Sequence, residues 1–352
     1  MGRKKTGIPV DKKITIYDIA REAQVSPATV SRVLTGRATV KAETKEKIEA
    51  LIRQYDFKPN ALAKSLRETK SRVIGMILID FVNPFYAMLL SVCENEARKR
   101  GYSLIVSCTV GKIELEDKYL DQMYEQRVGA IIEVGGGVDE RVTNEKFVEH
   151  VNRIANSIPI IITGRLDGAD CYQVNLDEMK AAELAVEHLI SLGHKRIAYI
   201  GGNNNVKSTM EKRSRYIQLL QKNGIPVRNE YILDSTTYDS EGGYACMENF
   251  FSLDPMPTAL IAINDYAAAG IIRAIYEKGL RIPEDISVVS FDNTYISRLY
   301  HPQLTSVNYN FEVFGKKIID VAIGAMNKKK MKRNSLISPS LIVRGSCCPP
   351  ES

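Results

Sequence analysis

"ITIYDIAREAQVSPATVSRVLTG", residues 14–36, decides how the N-terminal part of the chain folds. Thr15 is a good helix cap, and Ile16, Ile19, Ala20 and Ala23 recur behind it at helical spacing. Val25 breaks that run. Ser26 caps a second helix, and Pro27 takes its first position, where a missing N–H costs nothing. Val30, Val33 and Leu34 form the apolar stripe of this helix, and Gly36 stops it. A third helix runs to about Tyr55, with Ile48, Leu51, Ile52 and Tyr55 on one face. Three short helices with a tight connection between the first two describe a helix-turn-helix over residues 14–58. Opposite the stripe of the second helix lie Pro27, Ala28, Ser31 and Arg32, of which only Arg32 is charged.

Residues 1–13 are basic and lack the apolar stretch of a signal peptide, so they read as a disordered lead-in. After Pro59, Asn60 caps a final short helix from Ala61 to about Arg67, and residues 59–71 form a hinge and linker. Eight residues, the cap included, are too few for a helix to persist alone in water.

Charge separates this head from the rest. Residues 1–72 hold 17 Lys and Arg against 8 Asp and Glu, a net of +9, whereas the remaining residues hold 31 against 34, a net of −3. A basic head on a slightly acidic body implies that the head meets a polyanion. No apolar run approaches the ~18 residues of a membrane span, which argues against a membrane partner. The six cysteines form no CxxC pair and read as reduced thiols of a cytoplasmic protein. His150, His188, His194 and His301 have no metal-ligand spacing, and no motif calls for a cofactor.

From Val73 the pattern becomes βαβ. Buried-strand runs such as "VIGMILI", "SLIVSC", "GAIIEV" and "IPIIIT" alternate with helical stretches. A second series contains "RIAYIGG", "ALIAIN" and "ISVVSF". The order implies parallel sheets with right-handed crossovers, and two series imply two α/β lobes. Ligands of such sheets bind beyond the carboxyl ends of the strands, so two lobes place a ligand in the cleft between them.

The chain resembles the lactose-repressor/galactose-repressor type of bacterial transcription regulator. The likeness is carried by the head quoted above, "KPNALAKSL", "VNPFYAML", "HLISLGHKRIAYIGG", "PTALIAINDYAAAGIIRAIYEKGLRIPEDISVVSFDN" and "HPQLTSV", and it covers residues 14 to 345. It implies a small all-α helix-turn-helix head and an α/β two-lobed body like a periplasmic binding protein. The first lobe is expected at about 72–174 plus 304–335, the second at about 175–303 plus 336–345, and a tail at 346–352. It also implies a homodimer on a palindromic double-stranded DNA operator, acting as a repressor and controlled by a small-molecule effector such as a sugar. Closure of the cleft would then alter DNA binding, two sites coupled through one bistable body.

By the resemblance, Pro27, Ala28 and Arg32 read bases. Arg32 offers two donors to guanine N7 and O6. Thr15, Tyr17, Ser26, Thr29 and Ser31 match positions near phosphates, where contacts fix register without reading sequence. Asn60 belongs to the same interface, and Leu66 matches the leucine that wedges into the minor groove. Lys41 stands where relatives usually have a capping serine; it either leaves the third helix frayed or contacts phosphate. In the body, Phe85 and Tyr238 match stacking aromatics, while Arg165, Asn264, Asp265 and Asp292 end strands. Asp265 reads equally as a helix cap. Lys212 replaces a common arginine, with Arg213 beside it, and Gly164 replaces a common aspartate; both departures point to an unusual effector.

Rival readings are an enzyme, a secreted solute-binding protein, a constitutive DNA-binding regulator with a vestigial cleft, and a sensor of a non-sugar metabolite. "EVGGGVDE" and "YIGGNNN" match neither a dinucleotide fingerprint nor a P-loop. No nucleophile–base–acid set stands out, and a secreted protein has no use for residues 14–67.

Overall fold

The first helix, α1 (Ile16–Ala23), begins where its cap requires. The Asp18 N–H donates to Thr15 Oγ1 at 3.4 Å, and the Thr15 N–H donates to Asp18 Oδ2 at 3.0 Å. This reciprocal capping satisfies groups that a helix start leaves orphaned. Gln24 enters the left-handed region at φ 56° and ends the helix. In α2 (Pro27–Thr35), Ser26 Oγ accepts from the Thr29 N–H at 3.2 Å. The third helix, α3 (Ala42–Gln54), starts after Lys41 without a side-chain cap, because an ammonium has no lone pair to offer. Ile19, Ala20, Ala23, Val30, Ile48 and Leu51 form the core of the head.

The computed structural model describes residues 14–35, 40–57 and 71–350. The expected helix stop at Gly36 and the hinge residues Asn60 and Leu66 lie outside them. The chain divides into two units, residues 1–71 and 72–352.

The body starts with β1 (Val73–Leu78), α4 (Pro84–Lys99), β2 (Ser103–Cys108), α5 (Ile113–Glu125), β3 (Ala130–Val134), α6 (Glu145–Ala155), β4 (Ile160–Thr163) and β5 (Tyr172–Leu176). A second series follows: α7 (Glu178–Ser191), β6 (Ile197–Ile200), α8 (Lys207–Lys222), β7 (Ile232–Leu233), α9 (Ser240–Phe251), β8 (Ala259–Ala262), α10 (Asp265–Glu277), β9 (Ser287–Asp292) and β10 (Thr305–Asn308). The chain then adds α11 (Phe311–Met326) and β11 (Asn334–Ile337) to the first lobe and β12 (Ser340–Ile342) to the second. The sheets run β11-β5-β4-β3-β1-β2 and β12-β10-β9-β8-β6-β7. All pairings are parallel except β10 with β12. Central strands buried on both faces explain why their sequences read as unbroken apolar runs.

Two boundaries differ from expectation. The return to the first lobe comes after Asn308, not at 304, because Thr305–Asn308 pair with β9 in the second sheet. The return to the second lobe comes after Ile337, since Asn334–Ile337 pair with β5. The polypeptide therefore crosses between lobes three times.

The residues expected as a tail from 346 are docked through Pro350. Ser346 is 0% exposed; its hydroxyl donates to the Val288 carbonyl at 2.5 Å and accepts from the Thr305 N–H at 2.8 Å. The Cys348 carbonyl lies 2.9 Å from His194 Nε2. Buried strand ends of β9 and β10 need these partners, which is why the segment folds back. Ser346→Ala should cost about 1–3 kcal/mol, because it leaves the buried Thr305 N–H unpaired and the Val288 carbonyl with only the weak Cys347 thiol donor at 3.3 Å. Chemical denaturation of the full chain checks this.

Candidate functional sites

The head presents an exposed surface around α2. Ala28 and Arg32, one helical turn apart, are exposed, and Tyr17 on α1 is 63% exposed. Pro27 and Ser31 are half-buried, and Lys41 is exposed at the start of α3. Thr15 and Ser26 are exposed yet already serve as caps, and Ser26 Oγ lies 3.0 Å from Thr29 Oγ1. Their hydroxyls thus hold the helix starts in place while remaining at the surface.

In the body, a rim contact joins the lobes. After β3 the chain turns through Gly135–Gly137 and brings Asp139 to the first turn of α8. Asp139 accepts from the Ser208 N–H at 3.1 Å and from its hydroxyl at 2.6 Å. Glu140 forms an antiparallel bridge with Val206, and the Arg141 N–H donates to the Asn205 carbonyl at 2.6 Å. Lys207 Nζ donates to the Arg165 carbonyl at 2.5 Å and to Thr143 at 3.3 Å. Burial pushes the Asp139 carboxyl up to about 6, and the Ser208 hydroxyl opposes that shift.

Behind the rim, Phe85 follows the Asn83 cap of α4 and packs edge-on against Tyr86, Tyr309 and Phe311, with ring centroids 5.2, 6.3 and 5.5 Å away. From the second lobe, the Tyr238 hydroxyl lies 2.9 Å from Thr209 Oγ1 and accepts from the Asn203 N–H at 3.3 Å. Asn264 caps α10 by accepting from the Ala267 N–H at 2.7 Å, and its amide donates to the Tyr238 carbonyl at 3.0 Å. Lys212 is buried. Its ammonium pairs with Glu178 at 3.1 Å, donates to Tyr309 at 3.3 Å and lies over the ring of Phe291. Burial alone would lower its pKa; Glu178, Tyr199 and Asp292 together outweigh burial, and the net shift is upward.

Asp292 ends β9 at φ 95° and is 6% exposed. Its carboxylate accepts no hydrogen bond among the described residues. Burial first, then Asp265, raises its pKa well above the carboxylate range, with Lys212 opposing. A non-glycine residue held in that backbone region costs ~1–3 kcal/mol and persists only where its surroundings impose it.

The structure therefore brings Phe85, Lys212, Tyr238, Asn264 and Asp292 to one cleft. It does not bring in Asp265, whose 0%-exposed carboxylate accepts from Ser290, Ser306, and the Thr294 N–H and hydroxyl. Every lone pair faces inward, so no ligand reaches it; Asn264, not Asp265, is the helix cap. Nor does it bring in the Arg165 guanidinium, which is turned to Asp167 at 2.9 Å with 66% of the side chain exposed. Only the Arg165 backbone meets the second lobe. Gly164 has a steric reason: a Cβ there would lie 2.2 Å from the Val138 carbonyl oxygen, leaving no room for aspartate. Arg213 is spent on structure, donating to the Gly201 and Gly202 carbonyls at 2.9 and 3.0 Å. Sequence reading missed Asp139, Glu178 and Tyr309. Asp139 lies beyond a strand end, the one signal available for it, while Glu178 and Tyr309 sit at crossings that only the fold defines.

A helix-turn-helix head and a two-lobed, parallel-sheet body define a class of DNA-binding regulator. Residues 15–60 match the model of bacterial regulatory proteins of the lacI family, and residues 186–347 match a periplasmic binding protein-like domain. Catabolite control protein A of Priestia megaterium is 34% identical over 333 residues, covering 94% of this chain and 97% of that protein. The HTH-type transcriptional repressor PurR of Pasteurella multocida is 30% identical, covering 94% and 98%. The crystal structure of a lac repressor dimer bound to operator and the anti-inducer ONPF superimposes with a TM-score of 0.86 at 27% identity, over 96% of this chain and all of that one. A complex of the regulator CelR with cellobiose shares the fold, with a TM-score of 0.70 at 22% identity over 95% and 99%. The chain belongs to the lacI family of bacterial regulatory proteins; it is a DNA-binding transcription regulator and not an enzyme. Among the described residues no helix is long and apolar enough to cross a membrane.

The turn that carries Asp139 rests on a buried acid. Glu116 of α5 accepts from the Gly137 N–H at 3.0 Å, and burial pushes its carboxyl up to about 7. A carboxyl whose folded pKa is raised costs stability as pH climbs from its ordinary value of 4.5 through about 7. Glu116→Gln keeps the acceptor and removes the charge. The variant should gain stability relative to the wild type across that interval, with the gain complete above it and absent below it. Thermal melts across pH test this.

Proposed function

We propose that the protein is a repressor that binds a palindromic operator as a homodimer and is controlled by a small molecule held in the interlobe cleft. Two heads are needed because one buries too little for tight specific binding, and a twofold protein matches a palindrome. In each head α2 enters the major groove. Arg32 reads a guanine, Pro27 and Ala28 make apolar contact, and Thr15, Tyr17, Ser26, Thr29, Ser31 and Lys41 position the head on phosphates. Asn60 and Leu66 complete the interface, Leu66 as the minor-groove wedge. The observation that carries the effector reading is Asp292, a buried carboxyl with no hydrogen-bond partner among the described residues, at the carboxyl end of a strand, in a cleft lined by Phe85 and Tyr238. Such a group suits a polyol, whose hydroxyls donate to it. The likeness to a lac repressor dimer solved with operator and ONPF supports both halves.

The rim contact favours a second reading, a regulator whose lobes close on their own and whose cleft is vestigial. A thermal-shift screen of sugars and nucleosides separates the two. An effector at about 100 times its Kd stabilises the protein by about 2.7 kcal/mol, whereas no hit in a broad screen favours constitutive action.

Arg32→Ala should relax base preference at one guanine per half-site, by about 1–3 kcal/mol of discrimination, with phosphate-driven affinity retained. Selection of bound DNA from a random pool reads this directly, and an unchanged preference at every position would refute the assignment of Arg32.

A further inference from the structure

The segment "NKKKMKRN", residues 327–334, joins α11 to β11 and belongs neither to the helix-turn-helix nor to the cleft. From Lys328 to Arg333, five of the six residues are Lys or Arg and none is acidic, on a body whose net charge is negative. The backbone of this loop is fixed. Lys328 takes φ 56° to end α11, its N–H donates to the Ala325 carbonyl at 2.9 Å, and the Lys329 N–H donates to the Gly324 carbonyl at 2.9 Å. Met331 packs on the core of the first lobe, and Gly324 makes room for it: a Cβ there would lie 2.4 Å from Met331 Sδ. Lys328, Lys329, Lys330 and Lys332 are exposed, and their ammonium groups make no ion pair among the described residues, whereas Arg333 is taken by Asp170 at 2.7 Å. Register sets the place of the loop in the lobe. Ile74 pairs with Ala130, Ile131 with Ile160, Ile161 with Tyr172, and Gln173 with Asn334, all in parallel. The starts of β1 and β11 therefore lie at the same end of the first sheet, four strand spacings or about 19 Å apart. That is the end at which the chain arrives from the head to begin β1 at Val73. Asp139 and the rim contact follow the opposite, carboxyl end of β3.

We propose that this lysine loop is a second DNA contact, carried by the body rather than the head, and that it meets the phosphate backbone of the duplex flanking the operator. This rests on the operator reading above and extends it beyond the palindrome. Uncommitted ammonium groups on an anchored loop suit phosphates as point charges, and they lack the planar fork with which Arg32 reads guanine, so the contact adds affinity without sequence. Release of counterions from the duplex supplies that affinity and makes it salt-dependent. The chain leaves for the head from the same end of the sheet, and about 19 Å is roughly half a helical turn of duplex. That placement favours flanking DNA over an acidic protein segment, and like charges exclude the same loop of a second copy.

The test is a salt titration of DNA binding by the full chain, with the duplex selected from a random pool prepared in two lengths: the palindrome alone, and the palindrome with about one helical turn, ~10 base pairs, added at each end. Wild type should bind the longer duplex about tenfold tighter at low salt, and its log K should fall more steeply with log salt, by about 0.9 for each added phosphate contact. Replacing the four lysines together (Lys328→Gln, Lys329→Gln, Lys330→Gln and Lys332→Gln) should remove the length advantage and the extra slope. Affinity for the palindrome alone and the base preferences should not change. Arginine at the same four positions should keep both the advantage and the slope. If the glutamine variant fails to fold, Lys330→Gln with Lys332→Gln serves, with a smaller loss in the same direction. A wild type with no length advantage, a glutamine variant that keeps it, or an equal loss on both duplexes overturns the proposal and leaves the operator reading standing. Selection of no sequence from the pool overturns both.

Discussion

The carboxylate of Asp265 accepts from Ser290 on β9, Ser306 on β10, and both the N–H and hydroxyl of Thr294 in the turn between them. It sits at the first position of α10, whose cap is the neighbouring Asn264. One buried group thus ties two neighbouring strands to the start of a helix. The places of Asn264, of Asp292 at its unusual φ, and of the crossing that delivers Tyr309 follow from it. Burial raises the Asp265 carboxyl, and the hydrogen bonds it accepts pull the other way. A buried carboxylate deprived of such partners is far more costly than one that keeps them.

The first lobe treats its buried acids differently. Glu133 lies within β3, paired between Ile77 and Ile162, and neither of its oxygens has a hydrogen-bond partner among the described residues. Burial, with Glu116 nearby, holds it well above the carboxylate range, so it is carried as a neutral acid. Glu116 keeps one hydrogen bond, to the Gly137 N–H, in the turn that leads to Asp139. The turn is built for that approach: Gly135 and Gly136 take positive φ, and a Cβ on Gly136 would fall 1.9 Å from Glu116 Oε1. The Asp139–Ser208 contact at the rim therefore depends on a glycine turn braced by an acid underneath.

Much of this was legible in the chain. The caps at Thr15 and Ser26, the proline at the first position of α2 and the missing cap at Lys41 are local, set by hydrogen bonds between residues within three positions. The alternation of buried strands and helices was equally plain, because strands covered on both faces leave unbroken apolar runs. What local pattern could not show was destination. "TSVN" follows the point where the chain was expected to return to the first lobe, yet it pairs in the second sheet, and "SCCPP" reads as a tail until Ser346 is seen between Val288 and Thr305. Arg165 and Asp265 both end or follow strands, as ligand-binding residues do, yet one is turned to solvent and the other is consumed by its neighbours.

The sequence by itself determined the helix-turn-helix, the two α/β series and the membership of the chain in its family, since each rests on short-range spacing or on motifs that survive as text. Only the tertiary structure decided which carboxylates are free to meet a ligand. Asp139, Glu178, Asp265 and Asp292 are chemically alike, and the sequence marked only the two that follow or end apolar strand runs, Asp265 and Asp292. Whether each is paired, spent or open depends on partners brought from the other lobe or from a third crossing, at separations of up to 131 residues for Tyr309 and Glu178. Hydrogen-bond capacity is a property of the residue, but its occupancy is a property of the packed chain.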